Sequence, residues 1–228
     1  MGSKNKLKRF KENENFKNVI QPTREALIQN QFDLKGNWCS KYFKNSNPIV
    51  VELGCGKGEY SINLAKKYPN KNFIGIDTKG ARFWQGAKNA IIDEIPNVLF
   101  LRAQIELIEY IFSPGEISEI WITFPDPQIK FKRAKHRLTN QFFLMSYSRI
   151  IRKGGYIHLK TDSEFLHGYT LGLLEKMEAK IHYSHHDLYS NIYSPIESTE
   201  IKTYYEDLYL KKEKAITYIK FELCQKLI

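Results

Sequence analysis

Cysteine is scarce: the chain has three, Cys39, Cys55 and Cys224, with no CxxC pair among them. An odd number of widely spaced thiols does not suit a disulfide framework and fits a reducing compartment. Long hydrophobic runs are absent too, since nothing approaches the roughly 20 apolar residues of a membrane span. The opening segment MGSKNKLKRFKENEN lacks the apolar core of a secretory signal, so a soluble cytoplasmic protein with no membrane partner is expected. No segment repeats and no low-complexity tract occurs, which excludes the repeat architectures. Acidic residues are in deficit, 25 against 35 Lys plus Arg, and the resulting net charge of +10 favours a polyanionic partner. Nucleic acid comes first among such partners and an anionic membrane surface second.

What is present is globular. The 228 residues are 42% hydrophobic and 14% aromatic, which excludes a disordered chain. A chain of this length supports one sizeable core. Residues 1–20, with Lys4, Lys6, Lys8, Arg9, Lys11 and Lys17, read as a basic, flexible arm, and residues 21–228 as a single domain.

Within that domain the hydrophobic period alternates between strand and helix. A helix is expected over Pro22 to Gln31, and a loop holds Trp38. Ile49 to Leu53 is a short apolar strand, Gly54-Cys55-Gly56-Lys57-Gly58 a glycine turn, and Glu59 to Tyr68 a helix. Further strands are expected at Asn72 to Asp77, Asn97 to Ala103, Glu119 to Phe124, Tyr156 to Thr161 after a Gly154-Gly155 turn, Ala179 to His186 and Ala215 to Leu223. Helices are expected at Ala81 to Glu94, Ile105 to Phe112, Thr139 to Ile151 capped by Thr139, Ser163 to Met177, and Thr203 to Leu210. Residues Asp187 to Glu200 form a surface loop. Apolar strands alternating with helices predict an α/β fold, a doubly wound, mostly parallel sheet of seven strands with an antiparallel last strand.

A glycine turn after the first strand of such a sheet lets backbone approach a ligand at the switch point. Here the spacing is Gly54-x-Gly56-x-Gly58, with Glu52 inside the strand and Glu59 just beyond the turn. Two carboxylates would repel a dinucleotide pyrophosphate and tolerate a cationic sulfonium, so the charge pattern favours S-adenosylmethionine. Asp77, ending the second strand, is placed to accept from ribose hydroxyls, and Gln104, after the third, to meet a purine edge.

The fourth strand runs into Phe124-Pro125-Asp126-Pro127, where two prolines restrict the backbone around Asp126 at the carboxyl edge of the sheet. Directly after it, Lys130, Lys132, Arg133, Lys135 and Arg137 place five positive charges in eight positions, a density suited to phosphates. A solvated basic loop is the competing reading. His182, His185 and His186 lack companion cysteines or carboxylates at ligand spacing, so no metal is expected. The tyrosines of the last third could stack bases, although packing explains them as well.

Taken in order, VELGCGKG at 51–58, IGID ending at Asp77, FPDP at 124–127 with its basic run, HLKTD ending at Asp162, and TYYE at 203–206 resemble the bacterial tRNA guanine-N7 methyltransferase family over about residues 21–223. The resemblance implies a Rossmann-like class I methyltransferase using S-adenosylmethionine on tRNA. By that resemblance Glu52, Gly54, Gly56, Asp77, Gln104 and Asp126 hold the methyl donor, and Lys130, Asp162, Thr203 and Glu206 line the guanosine pocket. Lys132, Arg133, Lys135, His136 and Arg137 would meet RNA backbone, and Asp126 is the catalytic candidate. The chain departs from the family pattern at Gln128-Ile129, where Trp-Pro is usual, and at Gln104, where Asn or Asp is usual. Two other readings stay open: an amino-group methyltransferase of the N6-adenine type, suggested by the PDP segment, and a non-catalytic RNA-binding module with a methyltransferase-like fold. Monomer and homodimer both remain possible.

Overall fold

A computed structural model describes residues 3–224. Its contacts group into two compact units that divide between Ile117 and Ser118.

In the first unit, β2 (Ile49–Leu53), β3 (Asn72–Asp77) and β4 (Val98–Arg102) lie in the order β4-β3-β2 and pair in parallel. Every residue of β2 and β3 is buried, as continuous apolar runs require when both faces of a sheet are covered. The edge beyond β4 carries β1 (Val19–Ile20), a two-residue parallel strand in addition to the seven expected. The helices α2 (Arg24–Ile28), α3 (Glu59–Lys67), α4 (Gly80–Ile92) and α5 (Ile108–Ile111) accompany these strands. Trp38, expected in a loop, opens a π-helical turn, Trp38–Phe43, and is fully buried with its Nε1 donating to the Ile111 carbonyl at 3.1 Å.

Where a flexible arm was expected, Ser3–Asn15 forms a helix, α1. It meets α4 through polar and cationic contacts and through the Phe10 ring, which lies against Gly80. Asn13 Nδ2 donates to the Gly80 carbonyl at 2.9 Å, Trp84 Nε1 donates to Glu12 at 2.6 Å, and the Arg9 guanidinium lies 4.8 Å from the Trp84 ring.

The second unit has the strand order β5-β6-β8-β7, from β5 (Ile117–Thr123), β6 (Ile151–Thr161), β7 (Lys180–His185) and β8 (Thr217–Glu222). The last strand, β8, runs antiparallel to both of its neighbours, as expected. Gly154 and Gly155 lie within β6 instead of turning the chain into it. A Cβ at Gly155 would come within 2.8 Å of the Ser118 carbonyl, so glycine is required there by close backbone approach. The helices are α6 (Gln141–Ile150), α7 (Glu164–Lys176), α8 (Ile196–Thr199) and α9 (Tyr204–Leu210). The cap of α6 is Asn140, whose side chain accepts from Phe143 N, and not Thr139. Thr139 is fully buried and its hydroxyl meets that of Thr170 at 2.7 Å. Within the loop expected over 187–200, α8 is an added single turn.

Candidate active site

The glycine turn is shaped by its own backbone. Gly54 and Gly56 have φ of 75° and 55°, a region where a side chain is strained. Gly54 N and Cys55 N both donate to the Ile76 carbonyl, at 2.8 and 3.0 Å, so the turn folds back over the end of β3. Asp77 completes the ring of contacts. Its Oδ2 accepts from Gly56 N at 3.1 Å and its Oδ1 from Lys79 N at 2.8 Å. Each carboxylate oxygen has a second lone pair, which leaves acceptor capacity for hydroxyls of a ligand.

Glu52 is buried in β2, and its Oε2 accepts from Ser61 N at 3.0 Å and from Ser61 Oγ at 2.5 Å. Gly58, at the N-cap of α3, has no side chain to offer, so a carboxylate from the neighbouring strand satisfies the donor of the first helical turn. The buried thiol of Cys55 registers the resulting field: burial first, then the Glu52 and Asp77 carboxylates, push it well above its ordinary value. Negative potential therefore converges on the turn, an environment that favours a cation and opposes a pyrophosphate.

Beyond the ends of β3 and β4 lies a pocket of about 380 Å³, lined among others by Gln21, Arg24, Thr78, Arg102, Ala103 and Gln104. The side-chain oxygen of Gln104 accepts from Arg24 Nη1, so its amide nitrogen is the face left to donate.

In the second unit, the segment after β5 is stiffened by more than its prolines. Phe124 adopts φ of 47°, donates its N–H to the Lys160 carbonyl at 2.8 Å and sets its ring 5.9 Å from that of Tyr209. Asp126 is exposed, and its Oδ1 accepts from Gln128 N at 3.0 Å, an Asx turn that holds the carboxylate in one place. Asp162 follows β6 and pairs at 3.4 Å with Lys214, whose ammonium lies 5.1 Å from the Tyr209 ring.

Lys160 and Glu206 form an ion pair at 2.6 Å with both side chains fully buried. Lys160 also donates to the carbonyls of Ser198 and Ile201, at 2.6 and 3.2 Å. Burial lowers the Lys160 ammonium and Glu206 acts against that shift. Thr203 caps α9 in a capping box with Glu206: Thr203 Oγ1 accepts from Glu206 N at 3.1 Å while Glu206 Oε2 accepts from Thr203 N at 3.3 Å.

Residues 46–219 match a family model described as "Putative methyltransferase". The tRNA (guanine-N(7)-)-methyltransferase of Christiangramia forsetii is 64% identical over 98% of this chain and 100% of its own length. The enzyme of the same name from Porphyromonas gingivalis is 47% identical over 92% of this chain and 86% of its own. The chain belongs to the tRNA (guanine-N(7)-)-methyltransferase family. Among solved structures, the 16S rRNA methyltransferase KamB aligns with a TM-score of 0.62 over 81% of this chain and 91% of its own, at 12% identity. That likeness shows the α/β class I methyltransferase fold.

For a member of this family, the structure distributes the expected site residues unevenly. Gly54, Gly56, Glu52 and Asp77 are joined around one turn, and Gln104 lines the pocket beyond the ends of β3 and β4. Lys130, Lys132, Arg133, Lys135 and His136 are exposed along the basic segment. Arg137, expected to meet RNA backbone with them, is buried: Nε and Nη2 donate to the Gln128 carbonyl at 3.2 and 3.1 Å, and the guanidinium lies 4.4 Å from the Tyr169 ring. Glu206, expected in a guanosine pocket, is buried and engaged by Lys160, Tyr189 and the cap of α9, and Thr203 is its capping partner. The capping box joins both to the first turn of α9. Sequence reasoning passed over Ser61, Lys160 and Arg24. A lysine inside the apolar stretch YIHLKT was a signal for Lys160, whereas nothing local marks Arg24. No group of His, Cys, Asp and Glu suited to a metal ion occurs among the described residues, and no described helix is long and apolar enough to cross a membrane.

Proposed function

We propose that this protein transfers a methyl group from S-adenosylmethionine to N7 of a guanine in tRNA, in the variable loop by family resemblance. The observation that carries the proposal is the convergence of Glu52 and Asp77 on the glycine turn of a chain in this family. The residues fit the donor: the turn is open at Gly56, where an added Cβ would meet nothing closer than 3.9 Å, and the local potential suits a sulfonium. Once bound, S-adenosylmethionine supplies an electrophilic methyl group.

The chain's own residues bind and orient. Asp77 would accept from ribose hydroxyls, and Gln104, its oxygen held by Arg24, would donate to the purine. Guanine N7 carries a lone pair and no proton, so alignment matters more than a general base, and none is assigned. Methylation leaves a cationic ring. The Asp126 and Asp162 carboxylates would stabilise that developing charge and accept from guanine N1–H and the 2-amino group, a pair of donors that adenine lacks on that edge. Lys130, Lys132, Arg133 and Lys135 would neutralise phosphates and draw in the polyanion.

The test is incubation with labelled donor and an unmodified tRNA transcript, followed by mapping of the modified nucleotide. A cationic, alkali-labile N7-methylguanine supports the proposal. Label in the amino group of adenine, or transcript binding with no transfer, would replace it with one of the other two readings.

A further inference from the structure

Phe131 is 94% exposed, more than any other large apolar side chain among the described residues. A phenylalanine in water contributes nothing to a core, and this one sits in a segment that is far from slack. It begins the 3₁₀ turn Phe131–His136, closed by Arg133 N to the Lys130 carbonyl at 2.8 Å and Arg137 N to the Ala134 carbonyl at 3.1 Å. Asn140 Nδ2 donates to the Lys135 carbonyl at 2.7 Å from the far side, and the buried Arg137 clamps the entry through the Gln128 and Ile129 carbonyls. The ring is thus presented on a braced turn, with little ordering left to do on binding. Exposed Lys130, Lys132, Arg133 and Lys135 surround it.

We propose that Phe131 is a stacking platform for an unpaired base of the RNA substrate, with the flanking cations holding the adjoining phosphates. This rests on the reading of the basic segment as an RNA contact. The chemistry is that of single-stranded recognition, in which an aromatic face takes a base and neighbouring cations follow the backbone. A lipid surface fits less well. Residues three apart eclipse in a 3₁₀ turn, and the position above Phe131 is Ala134, so the turn offers one ring; with the exposed Ile129 two residues before it, that is still short of the broad apolar face that interfacial binding requires.

The test uses the full chain, as wild type, Phe131→Ala and Phe131→Tyr, titrated with a fluorescent unmodified tRNA transcript and with a blunt RNA duplex of equal phosphate number. Phe131→Ala should weaken transcript binding roughly 5- to 100-fold, leave duplex binding unchanged and leave the slope of log K against log salt unaltered. Phe131→Tyr should restore the affinity. Equal transcript affinity in wild type and Phe131→Ala overturns the proposal, and so does an equal loss on both RNAs. A loss seen only on anionic vesicles would assign the ring to a membrane instead. Wild type that binds neither RNA overturns the RNA reading of the segment itself, an outcome distinct from failure of the ring alone.

Discussion

The ammonium of Lys160, on β6, lies 2.6 Å from Oε1 of Glu206, on α9, with both side chains fully buried. Such a pair brings little net stability over an apolar substitute, but breaking it on one side strands a charge in the interior. Lys160→Met should therefore cost about 3–5 kcal/mol in denaturant unfolding. Pairing it with Glu206→Gln removes the stranded charge and keeps an acceptor for the cap of α9. The double variant should be more stable than Lys160→Met alone. Independent, additive losses would show that the two charges do not depend on one another.

Asp77 joins the glycine turn to the end of β3 and is the proposed acceptor for the donor's ribose. Asp77→Asn retains an oxygen but loses the charge, and each charge-assisted hydrogen bond contributes about 1.5–3 kcal/mol. Affinity for S-adenosylhomocysteine, measured by calorimetry, should fall roughly 10- to 100-fold. Unchanged affinity would remove Asp77 from the donor site and leave it only its role in shaping the turn.

Much of this was legible in the chain itself, for identifiable reasons. The strand, glycine turn and helix at 49–67 are marked by a change in hydrophobic period and by glycines, both local signals, and the structure reproduces them. The capping box of Thr203 and Glu206 is local as well, yet its T-x-x-E spacing was read only as part of a guanosine pocket. What failed to show depended on distance. Arg137 is one of five similar cations in the sequence, and only contact with Gln128 and Tyr169 separates it from the rest. Lys160 and Glu206 stand 46 residues apart, so neither announces the other. In α1, the contacts with α4 run through Arg9, Phe10, Glu12 and Asn13, whose partners lie some 70 residues on. Thr139 and Asn140 are both acceptable caps, and the choice fell to Asn140 because Thr139 is drawn inside to Thr170.

Asp126 is held by the Gln128 N–H yet exposed, which separates its chemistry from the fold. Asp126→Ala should leave the melting temperature nearly unchanged while lowering methyl transfer about 10²- to 10³-fold, the scale seen when one preorganised electrostatic contact is lost. Single-turnover rates at saturating donor and transcript isolate that step. A variant with wild-type turnover would show that Asp126 contributes nothing to the reaction.

His158 gives the second unit an acid-sensitive core. Its ring stacks on Trp121 with centroids 3.9 Å apart, Nδ1 lies 2.7 Å from the Tyr218 hydroxyl and Nε2 lies 3.1 Å from Glu119 Oε1. Burial lowers its pKa below the ordinary 6.5 and Lys220 adds to that, against the opposing pull of Glu119 and Glu197. His167 is lowered as well, again chiefly by burial. As pH falls below 6.5 the unfolded chain takes up protons that the folded chain refuses, so stability is complete above that value and declines toward the lowered folded one. Each unit of pH in that window costs at most about 1.4 kcal/mol per histidine. Denaturant unfolding between pH 7.5 and 5.5 should show this decline, and His158→Gln, which can still donate and accept, should flatten it by the share of one group. If the two profiles ran parallel, the Glu119 contact would offset burial in full, and a steeper decline in His158→Gln would mean that it outweighs burial.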